Sequence, residues 1–291
     1  MTDSTSDPVS KLTPQGPTIA VTGATGHVGG QVAEILAKTG VPFRMIVRDA
    51  TRAPQFDGAE VAVASYADTD ASTKALAGIT TLFMVSAAEA QDRREQQRAF
   101  VDVAVAAGVE HIVYTSFVGA AEDAVFTLAR DHWATEQRIK GTGGRFTILR
   151  DNFYLDFVPD LVGEDGVIRG PAGDGRMAAV SRADVAAVAA LVLLDPESHQ
   201  QQTYNLTGPV AFSLSDAASI LSKHTGRRVR YHQETLEEAY ESRQKWQPEQ
   251  WQADAWVSTY SSIASGELAA VSPDVERITG QKPKSLEDVL G

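Results

Sequence analysis

Short apolar runs rich in β-branched residues alternate with amphipathic, helix-length segments through the first half of this 291-residue chain. The runs are apolar throughout, which is typical of strands covered on both faces. Gly40, Gly78, Gly108 and Gly141 stand where the intervening helices are expected to end. Short connections between such elements favour right-handed crossovers and a parallel sheet. We therefore predict an α/β protein with a doubly wound parallel sheet, with strands at residues 18–22, 43–47, 60–64, 81–85, 110–115 and 146–149.

This alternation changes after Arg150, where a short aromatic segment precedes a glycine-dense stretch at residues 163–175. Ser181, three residues before Asp184, is predicted to cap the N-terminus of an Ala/Val-rich helix. Further short strands and helices follow to the end of the chain. We predict three parts: a disordered extension at residues 1–17, a sheet domain at residues 18–152 and a smaller α+β domain at residues 153–291.

Composition excludes several classes of function. With 26 Lys and Arg against 38 Asp and Glu, the net charge is −12, which argues against a nucleic-acid-binding face. The lack of cysteine removes thiolate nucleophiles, disulfides and iron–sulfur clusters. The longest apolar run, residues 185–194, is half the length of a membrane span, and the N-terminus has no signal-peptide pattern. We expect a cytoplasmic monomer or homodimer without a membrane partner.

The segment Gly23-Ala24-Thr25-Gly26-His27-Val28-Gly29 lies between the first predicted strand and the first helix. Glycines at this spacing let a backbone approach a pyrophosphate, and the helix that follows offers unpaired N–H groups and the positive end of its dipole. The lysine and Ser/Thr of a nucleotide-triphosphate loop are missing. The turn, including Gly29, therefore predicts a dinucleotide-binding site.

Arg48 directly follows the second strand, ahead of Asp49 and one helical turn before Arg52. An acidic residue at this point holds a ribose 2′-hydroxyl, whereas a guanidinium suits a 2′-phosphate. Asp49 is expected to point away or to pair with Arg52. We predict NADP(H) in preference to NAD(H), with Arg48 as the phosphate ligand; the alternative is that Arg48 is a solvated charge at the strand end.

Small and polar residues follow the other strands at their carboxyl ends, where an open parallel sheet forms its crevice. Asp68 either accepts from the adenine amino group or caps a turn. Ser86 and Ala87 follow the fourth strand, and Ser116 closes the fifth in the same layer. We predict that these residues contact the cofactor.

Several motifs together carry a family resemblance. GATGHVGG, VRD after the second strand, HIVYTS, FTILRDNFYLDF and GDGRMAAVSRADVA resemble the NmrA-like branch of the atypical short-chain dehydrogenases/reductases across residues 18–291. The chain is most similar to bacterial type-2 NAD(P)H:quinone oxidoreductases and triphenylmethane reductases. The resemblance implies a Rossmann fold, an NAD(P)-binding domain at 18–152, a substrate domain at 153–291, and hydride transfer from NADPH to an aromatic acceptor. It implies the following cofactor-binding residues: Gly23, Thr25, Gly26, His27, Val28, Arg48, Ser86, Asn152, Phe153 and Tyr154.

The helix after the fifth strand departs from typical short-chain dehydrogenases, which carry a Tyr and, four residues later, a Lys as proton donor and pKa-lowering neighbour. Aligning Glu136 with the acidic residue that follows that Lys places His132 at the Lys position and Leu128 at the Tyr position. Tyr114 lies inside a strand and does not replace the missing Tyr. His132 is our catalytic candidate, as a proton relay or a ribose ligand; the alternative is a histidine that packs helix against sheet. The histidines show no metal-ligand spacing, so we predict no metal.

Aromatic residues are placed to form a cleft for a flat substrate. Phe117 and Phe157 follow the fifth and sixth strands, and we predict that both bind a small aromatic substrate. Trp256 lies four residues before Tyr260 on one helix face. We predict that Trp256 contributes to the substrate site as part of a lid; the alternative is packing of a peripheral helix.

Two functions fit these observations. The first is an NADPH-dependent reductase that transfers hydride to a quinone-like or other aromatic electrophile without a Tyr–Lys pair. The second is a non-catalytic NADP(H)-sensing regulatory or partner-binding protein, which the missing pair also favours.

Overall fold

The computed structural model of the protein describes residues 16–291, so the predicted disordered extension lies outside the described residues except for its last two. The predicted α/β class is confirmed. In chain order the strands are β1 (Ile19–Thr22), β2 (Phe43–Val47), β3 (Ala59–Val63), β4 (Thr81–Met84), β5 (His111–Phe117), β6 (Arg145–Asp151), β7 (Val167–Gly170), β8 (Arg176–Met177), β9 (Gln202–Leu206), β10 (Phe212–Ser213) and β11 (Arg230–Gln233).

The helices follow the strands as the alternating pattern predicts. Gly40 ends the first helix in the left-handed conformation, and Ser181 accepts a hydrogen bond from the backbone N–H of Asp184, as expected for a cap. The helices are α1 (His27–Thr39), α2 (Thr69–Ala75), α3 (Arg93–Ala106), α4 (Thr127–Lys140), α5 (Arg182–Leu194), α6 (Leu214–Thr225), α7 (Leu236–Arg243), α8 (Gln250–Ser265), α9 (Asp274–Thr279) and α10 (Leu286–Leu290).

Seven strands form one parallel sheet in the order β3-β2-β1-β4-β5-β6-β9. The order reverses between β1 and β4, which is where an open sheet of this kind forms its ligand crevice. On one face α1 and α5 bury Leu36 and Val185 with Phe83, and on the other α3 and α4 bury Phe100 and Ile139. The central strands β1, β4 and β5 are buried along their whole length because both faces are covered there, which explains why they lack a polar alternation.

The sheet is completed by residues that the sequence analysis assigned to the substrate domain. β9 pairs in parallel with β6, and α5 packs against α1. β9 and α5 therefore belong to the sheet layer although both follow the predicted boundary at residue 152. The rest of the second half forms two small sheets, β8 with β10 and β7 with β11, around a separate apolar cluster that includes Met177 and Leu221.

In the described part of the chain, no helix has both the length and the apolar character that a bilayer crossing requires.

Candidate active site

The glycine turn connects β1 to α1. Gly23 has a φ of +66°, and its carbonyl oxygen accepts a hydrogen bond from the backbone N–H of Gly26 at 2.8 Å. α1 begins at His27 with no side-chain cap and no acidic residue in its first turn. Unpaired N–H groups at a helix N-terminus favour an anion, and no side chain of this helix competes for them.

The glycines of the turn serve different purposes. A Cβ atom at Gly29 would lie 2.4 Å from the Gly23 carbonyl oxygen, so the close packing of α1 on β1 requires glycine there. A Cβ atom at Gly26 would lie 3.3 Å from the same oxygen, and Gly26 is exposed with an ordinary extended φ of −98°. The fold itself therefore does not require glycine at residue 26. Glycine is required there only if a pyrophosphate approaches the backbone closely, because a side chain would block that approach.

A hydroxyl pair fixes the glycine turn to the neighbouring strand. The hydroxyls of Thr22 and Tyr66 lie 2.7 Å apart, and Thr22 accepts from the backbone N–H of Val85 while Tyr66 donates to the carbonyl oxygen of Val85. Val85 immediately follows β4, so these contacts join the ends of β1 and β4 at the reversal of strand order. Sequence reasoning missed Tyr66, because the contact spans 44 residues.

Arg48 is exposed directly after β2 and has no carboxylate within 4.0 Å among residues 16–291. Asp49 accepts hydrogen bonds from the backbone N–H and the hydroxyl of Thr51, which lower the pKa of this carboxyl group. Of the two alternatives for Asp49, pointing away or pairing with Arg52, no ion pair with Arg52 is formed in residues 16–291, and Asp49 caps the following turn. The guanidinium of Arg48 is left available for an external anion.

A cavity of about 170 Å³ opens at the carboxyl ends of β4, β5 and β6. Its walls are largely aromatic, which suits a flat apolar ligand. Seven residues that we singled out from the sequence line it, together with two that we did not, Asp151 and Arg182. The seven are Ser86, Phe117, His132, Asn152, Phe153, Tyr154 and Phe157.

His132 lies at the cavity wall but has no free ring nitrogen. Arg93 donates to its Nε2 atom at 3.0 Å, and its Nδ1 atom lies 3.0 Å from the hydroxyl of Tyr114. Burial, followed by the charge of Arg93, holds the pKa of His132 well below its ordinary value. His132 is therefore neutral, with Nδ1 carrying the proton toward Tyr114. With both ring nitrogens engaged by protein groups, this geometry favours the alternative of a histidine that packs helix against sheet over the predicted proton relay or ribose ligand.

The partners of His132 also position the segment after β4. Arg93 donates to the carbonyl oxygen of Ala87 at 2.8 Å, and Gln97 accepts from the backbone N–H of Ala87 at 3.0 Å. Tyr114 donates to the same Gln97 oxygen. These buried side chains on α3 and β5 hold the main chain that borders the cavity. Sequence reasoning missed Arg93 and Gln97 because charged and amide side chains on a helix are usually solvated.

Asp151, the last residue of β6, is 5 % exposed and lines the cavity. Its carboxyl group accepts a hydrogen bond from the hydroxyl of Tyr154, and no lysine or arginine nitrogen in residues 16–291 lies within 4.0 Å of it. Burial raises the pKa of Asp151 to about 7. The guanidinium of Arg182 lies 5.2 Å from the centre of the Tyr154 ring.

Three further predicted site residues make contacts elsewhere. Ser116 is fully buried and donates to the carboxylate of Glu136 at 2.6 Å, so it does not reach the cavity. Asp68 accepts from the backbone N–H of Ala71 and caps α2, as the alternative had it. Trp256 packs edge-on against Trp246 and donates to Glu89. It does not line the cavity, which favours the packing alternative for this residue.

No group of three or more His, Cys, Asp or Glu side chains in the described chain is arranged to hold a metal ion.

Comparison with known proteins gives consistent matches. The profile of the NmrA-like family matches residues 15–263. The NAD(P)H azoreductase of Xenophilus azovorans is 30 % identical over 275 residues, which cover 93 % of this chain and 96 % of that protein. The NADPH complex of the quinone oxidoreductase QOR2 from Escherichia coli superposes with a TM-score of 0.85 at 33 % identity, covering 94 % of this chain and 98 % of that one. The NADP(H) complex of the Citrobacter sp. triphenylmethane reductase superposes with a TM-score of 0.83 at 31 % identity, again covering 94 % of this chain and 98 % of that one.

Proposed function

This chain belongs to the NmrA-like family and is an NAD(P)H-dependent oxidoreductase, and we propose that it transfers hydride from NADPH to quinones or related aromatic electrophiles. The named activities of its relatives support this class of reaction: azo, quinone and triphenylmethane dye reduction. Azo compounds, quinones and triphenylmethane dyes share a conjugated system that can accept a hydride.

One observation carries the proposal: Arg48, the glycine turn and the aromatic cavity all lie along the carboxyl edge of the sheet. Arg48 follows β2, the glycine turn follows β1, and the aromatic cavity lies over β4, β5 and β6. Neighbouring strands are about 4.8 Å apart, so the row from β2 to β6 spans about 19 Å. In this proposal Arg48 holds the 2′-phosphate, Gly26 faces the pyrophosphate, and the nicotinamide end lies beside Ser86 and Tyr154.

The chain's own residues bind and orient both reactants. Thr25, His27, Val28 and the backbone of Ala87 complete the proposed cofactor contacts. NADPH supplies the hydride, while Phe117, Phe153 and Phe157 hold a flat acceptor and exclude water. Positioning of this kind provides much of the rate enhancement when hydride passes between two bound molecules.

We propose that the reaction uses no Tyr–Lys pair. α4 carries Leu128 and His132 at the two aligned positions, and both nitrogens of His132 are engaged by Arg93 and Tyr114. Leu128 therefore cannot donate a proton as the Tyr of the pair does, and the neutral His132 cannot act as its cationic neighbour.

Two binding titrations and one turnover assay test the function. Arg48→Glu should weaken NADPH binding about 10- to 100-fold, the value of a charge-assisted contact, and should leave NADH binding within about threefold. The matched control is Arg98→Glu, an exposed arginine on α3, which should change neither. Equal losses for both dinucleotides would refute the assigned role of Arg48. NADPH binding without oxidation across a panel of quinones and dyes would refute the reductase and favour the regulatory alternative.

A further inference from the structure

We propose that Asp151, oriented by the hydroxyl of Tyr154, is the general acid that protonates the reduced acceptor. This inference rests on the proposed function, because it assigns a proton donor to that reduction. It concerns a residue at the end of β6, not the helix that supplies the proton donor in typical short-chain dehydrogenases.

The placement of Asp151 supports the role first. The carboxyl group lies in the wall of the cavity together with Phe117, Phe153 and Phe157, at the end where the proposed acceptor binds. It is nearly buried and lacks a cationic partner within 4.0 Å in residues 16–291, and a carboxylate in such a place is costly. A neutral carboxylic acid avoids that cost and keeps a transferable proton.

The groups around Asp151 act in opposite directions on its charge. Burial favours the neutral acid, whereas the hydroxyl of Tyr154, the backbone N–H of Asp151 itself and the more distant guanidinium of Arg93 on α3 favour the carboxylate. His132 on α4 is neutral, and Arg182 on α5 faces the Tyr154 ring. The balance leaves the pKa of Asp151 at about 7, where a general acid both holds and releases a proton readily.

The reaction needs such a donor for one acceptor class only. A quinone gains a hydride, and with it two electrons from NADPH, to become a hydroquinone monoanion; the O–H bond of Asp151 then breaks and its proton joins the anionic oxygen. Asp151 is left as a carboxylate and regains a proton from solvent. A cationic triarylmethane dye that gains a hydride forms a neutral C–H product and needs no proton.

The decisive experiment compares these two acceptors in single variants. Asp151→Asn should lower kcat for a quinone relative to kcat for a cationic dye by about 100-fold, the typical value of general acid catalysis. The wild-type quinone rate should fall as pH rises through about 7, because the acid loses its proton, and this fall should be absent in Asp151→Asn. Asp160→Asn, which removes an exposed carboxylate that does not line the cavity, is the matched control.

A second variant separates the two members of the pair. Tyr154→Phe removes a hydrogen bond that stabilises the carboxylate, so the fall of the quinone rate should move to higher pH and persist. If Tyr154→Phe instead lowers kcat for the quinone relative to kcat for the cationic dye, and Asp151→Asn does not, Tyr154 is the donor and the proposal is overturned.

A measurement without cofactor or turnover completes the test. The infrared spectrum of the unliganded protein at pH 6 should contain a protonated carboxyl band that is absent from Asp151→Asn and present in Asp160→Asn. If the band is missing from the wild type, the acid is ionised and the proposal fails. If the wild type reduces neither acceptor, the proposed function fails while the infrared result still decides the protonation of Asp151.

Discussion

Replacing Gly26 and Gly29 by alanine, one at a time, should show which glycine of the turn is required for folding and which for binding the dinucleotide. A Cβ atom at Gly29 would lie 2.4 Å from the carbonyl oxygen of Gly23 and 2.7 Å from that of Thr22, both of them backbone atoms. At Gly26 the Cβ atom would lie 3.3 Å from the Gly23 oxygen, and the φ of −98° is open to alanine. The two substitutions therefore test different properties.

The expected magnitudes differ accordingly. Gly29→Ala must push α1 away from β1, and overpacking of this kind lowers the free energy of unfolding by about 3 kcal/mol. Gly26→Ala restricts the unfolded chain, which contributes about 0.4–1 kcal/mol of stability, and the tight contact offsets part of that gain. Its methyl group instead occupies the surface proposed for the pyrophosphate, so the Kd for NADPH should rise at least about tenfold, or about 1.4 kcal/mol.

Urea unfolding of both variants and calorimetric titration with NADPH provide the measurements. Gly26→Ala should unfold within about 0.5 kcal/mol of the wild type and bind NADPH poorly. If it binds NADPH as tightly as the wild type does, Gly26 does not face the pyrophosphate. If Gly29→Ala is as stable as the wild type, the close approach of α1 to β1 is not what fixes glycine there.

Two further variants test the buried polar groups. His132→Ala removes one hydrogen-bond partner from Arg93 and one from the hydroxyl of Tyr114, at about 1 kcal/mol each, so urea unfolding should show a loss of about 2 kcal/mol. The pH midpoint of quinone reduction should not move, and a lost midpoint would restore His132 as a proton relay. Glu136→Gln removes the charge that pairs with Arg150 and accepts from Ser116 in a fully buried position, and a loss of about 3–5 kcal/mol is expected by the same assay; an unchanged unfolding midpoint would contradict the pairing.

Most of the sheet could be predicted because its signals are local. Each of the first six strands contains a short run rich in apolar and β-branched residues, and Gly40 marks a helix end by a backbone preference that acts within one turn. The aromatic cavity was also predictable, since residues that directly follow parallel strands meet at one edge. Phe117 and Phe157 were found in this way.

The remaining features depend on contacts that no local pattern encodes. Arg93 and His132 are 39 residues apart in sequence, and the raised pKa of Asp151 comes from burial by several elements. In the sequence β9 resembles an isolated short strand, yet it pairs with β6, from which it is separated in the chain by β7, β8 and α5. In the glycine-dense stretch, a Cβ atom at Gly170 would lie 2.1 Å from the ring of Tyr260, a residue on a distant helix.

Because β9 is encoded late in the chain, the sheet is completed only after most of the protein has been synthesised. The nucleotide turn and six strands leave the ribosome first, and β6 then presents an open edge until Gln202–Leu206 emerges. Arg182, which lies over the ring of Tyr154 in the cavity wall, also comes from this later stretch. During synthesis, the glycine turn proposed to bind the dinucleotide is therefore complete before the cavity proposed to bind the acceptor.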